Sequence, residues 1–336
     1  MKIYNELGYI DQRKIYKEAK RINASFVVEI GPRQCGKTFG SLQLTLELGE
    51  PFILMRRIKD EADFISNGVV SPFLALGRRD IYFKKESEYT SAILSDGNRL
   101  GMVTSLVSIA KIRGFYGGDY ATLIYDEFIP ENHVHRIKNE GDAFLNAIIT
   151  ISGNRELEGK PPLMSWLLSN SNNINSPILQ ALNITDKVES MLNRGQEYSA
   201  LEDRGIIIVI PHCNDIMKRR KETALVRAVG KNSRFYKMAF DNEFAYNDPE
   251  HVKAQPLGEY IPIAAVRSKC TVYRHKDKPR IYVTAFRNCR TILPDTERGA
   301  KQLLLIFPDL KVYYNSGYTY FDSLTTKEIY KEIIKV

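Results

Sequence analysis

The sequence predicts an α/β fold, a mostly parallel sheet covered on both faces, followed by a smaller strand-rich α+β domain. Three observations carry this expectation. Apolar runs of strand length alternate with helical patterns from Ser25 to Ile210. A glycine-bearing loop, Gly31 to Thr38 (G-P-R-Q-C-G-K-T), joins one such strand to a helix-forming run. From about residue 258 onward aromatic and β-branched residues alternate instead.

Taken in order, residues 12–22 have the spacing of an amphipathic helix, and Ser25 to Ile30 (S-F-V-V-E-I) is an apolar strand. Phe39 to Leu48 is a helix and Pro51 to Arg56 a second buried-type strand. Asp60 to Leu76 is helical, with interruptions near Gly68 and Pro72. Ile81 to Phe83, Ser91 to Ser95 and Arg99 to Thr104 are short strands, and Asp96-Gly97 marks a hairpin between the last two. Ala121 to Tyr125, Met164 to Ser169 and Ile206 to Ile210 complete the apolar strands. The expected boundaries are residues 1–212 for the first domain, a basic helical linker over 213–257 (K-R-R-K at 218–221), and 258–336 for the second. In the second domain T-V-Y (271–273), I-Y-V-T (281–284), V-Y-Y (312–314) and Y-T-Y-F (318–321) are expected as strands, with a closing helix from Thr325 to Ile334.

The loop has the G-x-x-x-x-G-K-[ST] pattern in the strand–loop–helix setting that gives the pattern its meaning. Successive backbone N–H groups and a helix N-terminus cradle phosphates. Gly31 and Gly36 allow the close backbone approach, Lys37 reaches the outer phosphates, and Thr38 ligates Mg²⁺. ATP and Mg²⁺ are therefore expected.

A net charge of +8 favours an anionic partner such as nucleic acid. The four cysteines, Cys35, Cys213, Cys270 and Cys289, form no C-x-x-C pair, which fits reduced thiols in a cytosolic protein. The amino terminus carries no apolar signal region and no stretch approaches a membrane-spanning length, so no membrane partner is expected.

Thr122 to Glu127 (T-L-I-Y-D-E) is an apolar strand ending in two carboxylates. Asp126 is placed to hold Mg²⁺ and Glu127 to activate a water. The pair argues against a small-molecule kinase, whose nucleophile arrives with the substrate. Trp166 to Ser171 (W-L-L-S-N-S) is a further strand with a polar end, where Asn170 or Ser169 is placed to contact the γ-phosphate or the water.

The ordered set of motifs resembles the DNA-packaging (encapsidation) ATPases of phi29-like podophages, more distant relatives of the large terminases. It comprises G-P-R-Q-C-G-K-T, F-I-L-M-R-R-I-K-D-E (52–61), L-I-Y-D-E-F (123–128), G-N-R-E (153–156), L-S-N (168–170) and D-N-E-F (241–244), and spans roughly the first 245 residues. The resemblance implies a P-loop NTPase of the additional-strand, catalytic-glutamate type, followed by an RNase H-like domain. It implies a ring, a homopentamer, docked at the phage portal of a procapsid in the host cytoplasm. Double-stranded DNA is then the moved substrate and a structural packaging RNA a further partner. Arg33 fits the family's variant of the loop, and Arg155 matches its arginine finger. Lys111 or Arg113 matches a residue acting in trans, and Lys59, with Arg56 and Arg57 nearby, matches the DNA-facing lysine.

Large-terminase nucleases need carboxylates at strand ends that converge on metals. Asp277, Asp295, Asp309 and Asp322 are instead scattered beside turns, while Lys and Arg recur at 267, 269, 274, 276, 278, 280, 287 and 290. The expectation is a nuclease-like fold without nuclease chemistry that binds a polyanion. The alternatives are another DNA-translocating or helicase-like P-loop ATPase, and a non-enzymatic nucleic-acid-binding module with a vestigial loop.

Overall fold

The computed structural model describes residues 2–68, 70–109, 111–112, 115, 117–130, 137–170, 176–220, 228 and 251–335. The chain divides into two compact units, Met1–Ala245 and Tyr246–Val336. Most of the expected basic linker, the D-N-E-F motif, Lys221 and Arg113 lie outside the described residues.

The first unit is built on a nine-stranded sheet of order β3-β4-β5-β2-β6-β7-β1-β9-β8. Its strands are β1 (Phe26–Gly31), β2 (Phe52–Arg56), β3 (Ile81–Lys85), β4 (Ser91–Ser95), β5 (Asn98–Ser105), β6 (Thr122–Asp126), β7 (Met164–Asn170), β8 (Tyr198–Leu201) and β9 (Ile206–Val209). The run β5-β2-β6-β7-β1-β9 is parallel throughout. Antiparallel strands close both edges, β3 and β4 at one and β8 at the other. Apolar side chains on alternate sides of β1, β2 and β6 are buried, Phe26 at the start of β1 only partly, as a sheet covered on both faces requires. At the expected hairpin Asp96 and Gly97 both have positive φ, 48° and 79°, the backbone of a tight two-residue turn. Strand β8 has no counterpart among the strands expected from the sequence.

The helices here are α1 (Gln12–Arg21), α2 (Lys37–Leu48), α3 (Lys59–Ser66), α4 (Leu106–Ile109), α5 (Glu140–Ser152), α6 (Pro177–Ala181), α7 (Thr185–Asn193) and α8 (Asn214–Arg220). Asp11 caps α1 by accepting from the Lys14 N–H, and α1 buries Gln12, Ile15 and Ala19. Among the described residues no helix is long and apolar enough to cross a membrane.

The second unit is a five-stranded sheet of order β13-β10-β11-β12-β14. Strands β10 (Tyr260–Val266), β11 (Cys270–His275) and β12 (Ile281–Ala285) form an antiparallel meander. Strand β13 (Ile292–Leu293) runs parallel to β10, and β14 (Thr319–Phe321) parallel to β12. Two helices lie between β13 and β14, α9 (Glu297–Ile306) and α10 (Asp309–Asn315), and α11 (Leu324–Lys335) follows β14. Their Leu303, Leu310, Tyr330 and Ile333 pack on Ala264, Val272 and Val283 of the sheet.

Val312 to Tyr314 is not a strand but part of α10, whose N-cap is Pro308 and whose first turn carries Asp309. A proline–aspartate start and the burial of Leu310 outweigh the β-propensity of V-Y-Y. The missed helix α9 also has a local cap: Thr296 Oγ1 accepts from the Gly299 N–H at 3.1 Å.

Candidate nucleotide site

The site lies at the carboxyl ends of β1, β2, β6 and β7, where loops leave a parallel sheet. After β1 the chain turns through Gln34 and Gly36, whose φ values are 62° and 93°, before α2 begins. Gly36 is the N-cap of α2 and has no side chain with which to cap its first turn. At Gly31 a Cβ would lie 2.6 Å from Pro211 Cγ, which explains that glycine by packing as well as by phosphate approach.

Lys37 is buried, and its Nζ donates to the main-chain oxygens of Gly31 (3.0 Å) and Pro32 (2.8 Å). It also reaches Asn170 Oδ1 at 3.4 Å, so the loop and the polar end of β7 meet through one ammonium. Ser169 lines the same cavity, and its Oγ accepts from the Ile129 N–H at 3.3 Å.

Thr38 Oγ1 donates to Asp126 Oδ1 at 3.0 Å, joining two motifs 88 residues apart. Burial pushes the Asp126 carboxyl above its usual range, against the opposing pull of Arg56. Glu127 follows with φ 57°, a backbone region that a glutamate seldom adopts. This turn leaves its side chain half exposed beyond the strand end. A hydroxyl and a carboxylate side by side, beside a glycine-bearing loop at a helix N-terminus, suit a hard divalent cation and a phosphate chain. The residues present therefore fit Mg²⁺ and a nucleoside triphosphate.

These groups open onto a cavity of about 1050 Å³. Arg33, Gly36, Lys37, Thr38, Asp126, Glu127 and Asn170 line it, all but Glu127 at partial or full burial. Its remaining wall was not foreseen from the sequence. It comes from the N-terminal segment, including Leu7, Tyr9 and Gln12, and from Phe39, Gln43 and Leu44 of α2.

Other expected residues lie differently. Arg56 was expected at DNA, but its guanidinium turns to the acids: one nitrogen is 2.8 Å from Asp126 Oδ2 and another 2.7 Å from Glu127 Oε2. The strand end of β2 lies beside that of β6, which makes this the nearest countercharge for two adjacent carboxylates. Arg57 is buried in an ion pair with Glu140 at 2.5 Å and faces no solvent. Lys59 opens α3 and pairs with Asp63 at 3.0 Å on a partly exposed surface. Lys111 places its ammonium 5.7 Å from the Tyr89 ring centre.

Arg155, expected as a finger toward a neighbouring subunit, is only 6% exposed. It donates to the main-chain oxygen of Pro161 at 2.6 Å and to that of Tyr120. In this protomer it ties the segment after α5 to the residues before β6. Reaching a neighbour would require those bonds to be given up.

A phosphate loop between the first parallel strand and its helix, facing an acid pair two strands away, defines a P-loop nucleotide-binding fold. Within that class, the chain belongs to the family described as podovirus DNA encapsidation protein (Gp16), which matches residues 7–268. It is thus a protein of viral genome packaging. Among solved structures it is similar to a chain of the bacteriophage Phi-29 viral genome packaging motor assembly, with TM-score 0.66, 17% identity and coverage of 97% of this chain and 98% of that one. It is also similar to the Phi-28 gp11 DNA packaging motor, with TM-score 0.61, 16% identity and coverage of 95% and 97%. At these identities the likeness is one of fold, and it extends over both units. No curated protein matches the chain.

Proposed function

We propose that the chain is an ATP-hydrolysing motor that moves double-stranded viral DNA through a portal into a preformed procapsid. The observation that carries the catalytic part is the Thr38–Asp126 hydrogen bond with Lys37 and Glu127 on the same cavity. Loop amides from Gly31 to Gly36, with Arg33 and Lys37, hold the phosphates. Thr38 and Asp126 hold Mg²⁺, which, when bound, offsets charge on the phosphate oxygens. Glu127 takes the proton of the attacking water, and Asn170 orients that water or the γ-phosphate. Arg56 holds Glu127 and Asp126 in place through one guanidinium.

Family membership supports DNA as cargo and a procapsid as docking partner, and the basic net charge agrees. Lys59 is the residue assigned to the DNA backbone. Lys111 or Arg113 is assigned to the neighbouring subunit's nucleotide, in a ring taken to be a pentamer with a structural RNA at the portal. The second unit binds a polyanion without cutting it. In support, Asp309 is engaged by Arg274 at 2.6 Å and Asp295 by Lys269 at 2.8 Å.

The test is phosphate release by the purified chain with DNA, with and without portal-bearing procapsids. The proposal expects the highest rate with both, together with nuclease-protected DNA inside the shells. ATP-independent uptake, or uptake unchanged by Lys37→Ala, contradicts it.

A further inference from the structure

Behind the phosphate loop lies a cluster that hydrolysis leaves unused. Glu29 stands within the apolar strand β1 and is fully buried. Gln12, the first residue of α1, donates from Nε2 to Glu29 Oε2 at 2.9 Å, and the same nitrogen lies 3.5 Å from the main-chain oxygen of Lys37. Helix α2 makes room for it at Gly40, where a Cβ would come within 2.7 Å of Gln12 Cγ.

Two oxygens in this cluster, Gln12 Oε1 and Glu29 Oε1, are buried without a hydrogen-bond partner. Were Glu29 ionised, both would be acceptors with nothing to accept. A neutral carboxylic acid supplies the one missing donor. Burial pushes the Glu29 carboxyl up to about 8, with Cys35 acting in the same direction and the Gln12 bond and Lys37 opposing it. Those are the groups that face it: the amide of α1, the thiol of the loop and the ammonium of α2. Near neutral pH Glu29 therefore carries its proton.

Glu29 does not line the cavity, but Gln12 belongs to the segment whose Asn5, Leu7, Tyr9 and Asp11 do. The Ile10 N–H also donates to the Cys35 main-chain oxygen at 3.2 Å, so this segment is fastened to the loop at two points. The loop side of the cavity offers amides and an ammonium, suited to phosphates. The N-terminal side offers an aromatic ring and apolar groups, suited to a nucleoside.

We propose that Glu29 and Gln12 form a neutral acid–amide clasp, a positioning device that sets the N-terminal wall against the phosphate loop, so that the nucleoside part of a nucleoside triphosphate is recognised only while the clasp is closed. This rests on the nucleotide reading above.

The test compares equilibrium binding of MgATP and of magnesium tripolyphosphate, which lacks a nucleoside, by the full-length wild type, Glu29→Ala and Glu29→Gln. Glu29→Ala is expected to weaken MgATP by about tenfold, the size of one lost hydrogen bond, and to leave tripolyphosphate unchanged. Glu29→Gln is expected to bind both as wild type does, because an amide both accepts from Gln12 Nε2 and donates to its Oε1. Equal loss of both ligands in Glu29→Ala, no loss of MgATP, or a Glu29→Gln protein impaired as Glu29→Ala is, overturns the clasp. Should Glu29→Ala not fold, the pH profile decides. Wild-type MgATP affinity should fall as pH rises through about 8, while Glu29→Gln stays level. Parallel profiles overturn the clasp. A wild type that binds neither ligand removes the nucleotide reading itself, a result distinct from one that binds both.

Discussion

The carboxyl end of the parallel sheet in the first unit and the sheet of the second unit both carry acids and bases, used in opposite ways. In the first, Thr38, Arg56, Asp126 and Glu127 come from three strand ends and bond to one another, and Lys37 lies on the same cavity as Thr38, Asp126 and Glu127. In the second, Asp295 and Asp309 each take a separate, partly exposed cation, and Asp322 Oδ2 accepts from the Ala285 N–H at 2.8 Å. Convergence concentrates field and geometry where chemistry can use them. Dispersed pairs leave a charged surface worth little individually. Ionisable groups thus mark a reactive centre by sharing partners, not by being numerous.

Substitutions can break this contrast at graded points. The largest effect is expected from Lys37→Ala, which removes the one ammonium at the loop and should lower ATP turnover at least about 100-fold, measured as steady-state phosphate release. Arg56→Ala comes next. It leaves Asp126 buried beside an unpartnered Glu127, and should cost up to about 3 kcal/mol of stability, with turnover down about tenfold or more. Thermal unfolding and turnover on the same preparation check both. If Arg56 instead serves DNA alone, DNA-independent turnover will not change.

Arg155→Ala sharpens the comparison inside the first unit. A buried guanidinium that bonds main-chain oxygens predicts a stability loss of about 1–3 kcal/mol, seen as a lowered denaturant midpoint. A residue acting only on a neighbouring subunit predicts unchanged stability and lost turnover, recoverable in mixed assemblies. The smallest effect is expected from Asp309→Asn in the second unit. Its pair with Arg274 is about 40% exposed, so stability should shift by no more than about 1 kcal/mol, with turnover unaltered.

How much was legible in the sequence follows from how local each signal is. Gly31 to Thr38 and Thr122 to Glu127 were readable because phosphate and metal chemistry demand given residue types at fixed spacing beside a strand. The strand–helix alternation that places them was readable from hydrophobic period. Arg56 was not, since R-R-I-K-D-E fits a solvated helix start, and only the β2–β6 register turns its guanidinium onto the acids. Arg155 sits in a loop rich in glycine and proline, and nothing local announces that its partners are main-chain oxygens around Tyr120 and Pro161. The N-terminal wall of the cavity was equally hidden, because Tyr9 and Gln12 reach the loop through tertiary contact. Glu29 did leave a trace, an acid inside V-V-E-I, but its partner lies 17 positions earlier.

In the proposed mechanism the acid after β6 readies a water against a triphosphate held by the loop. Glu127→Gln, assayed for both ATP affinity and single-turnover cleavage on the same sample, addresses it most directly. Affinity near that of the wild type with cleavage slowed at least about 100-fold is the predicted result. Cleavage at the wild-type rate, or loss of ATP affinity in step with cleavage, would contradict it.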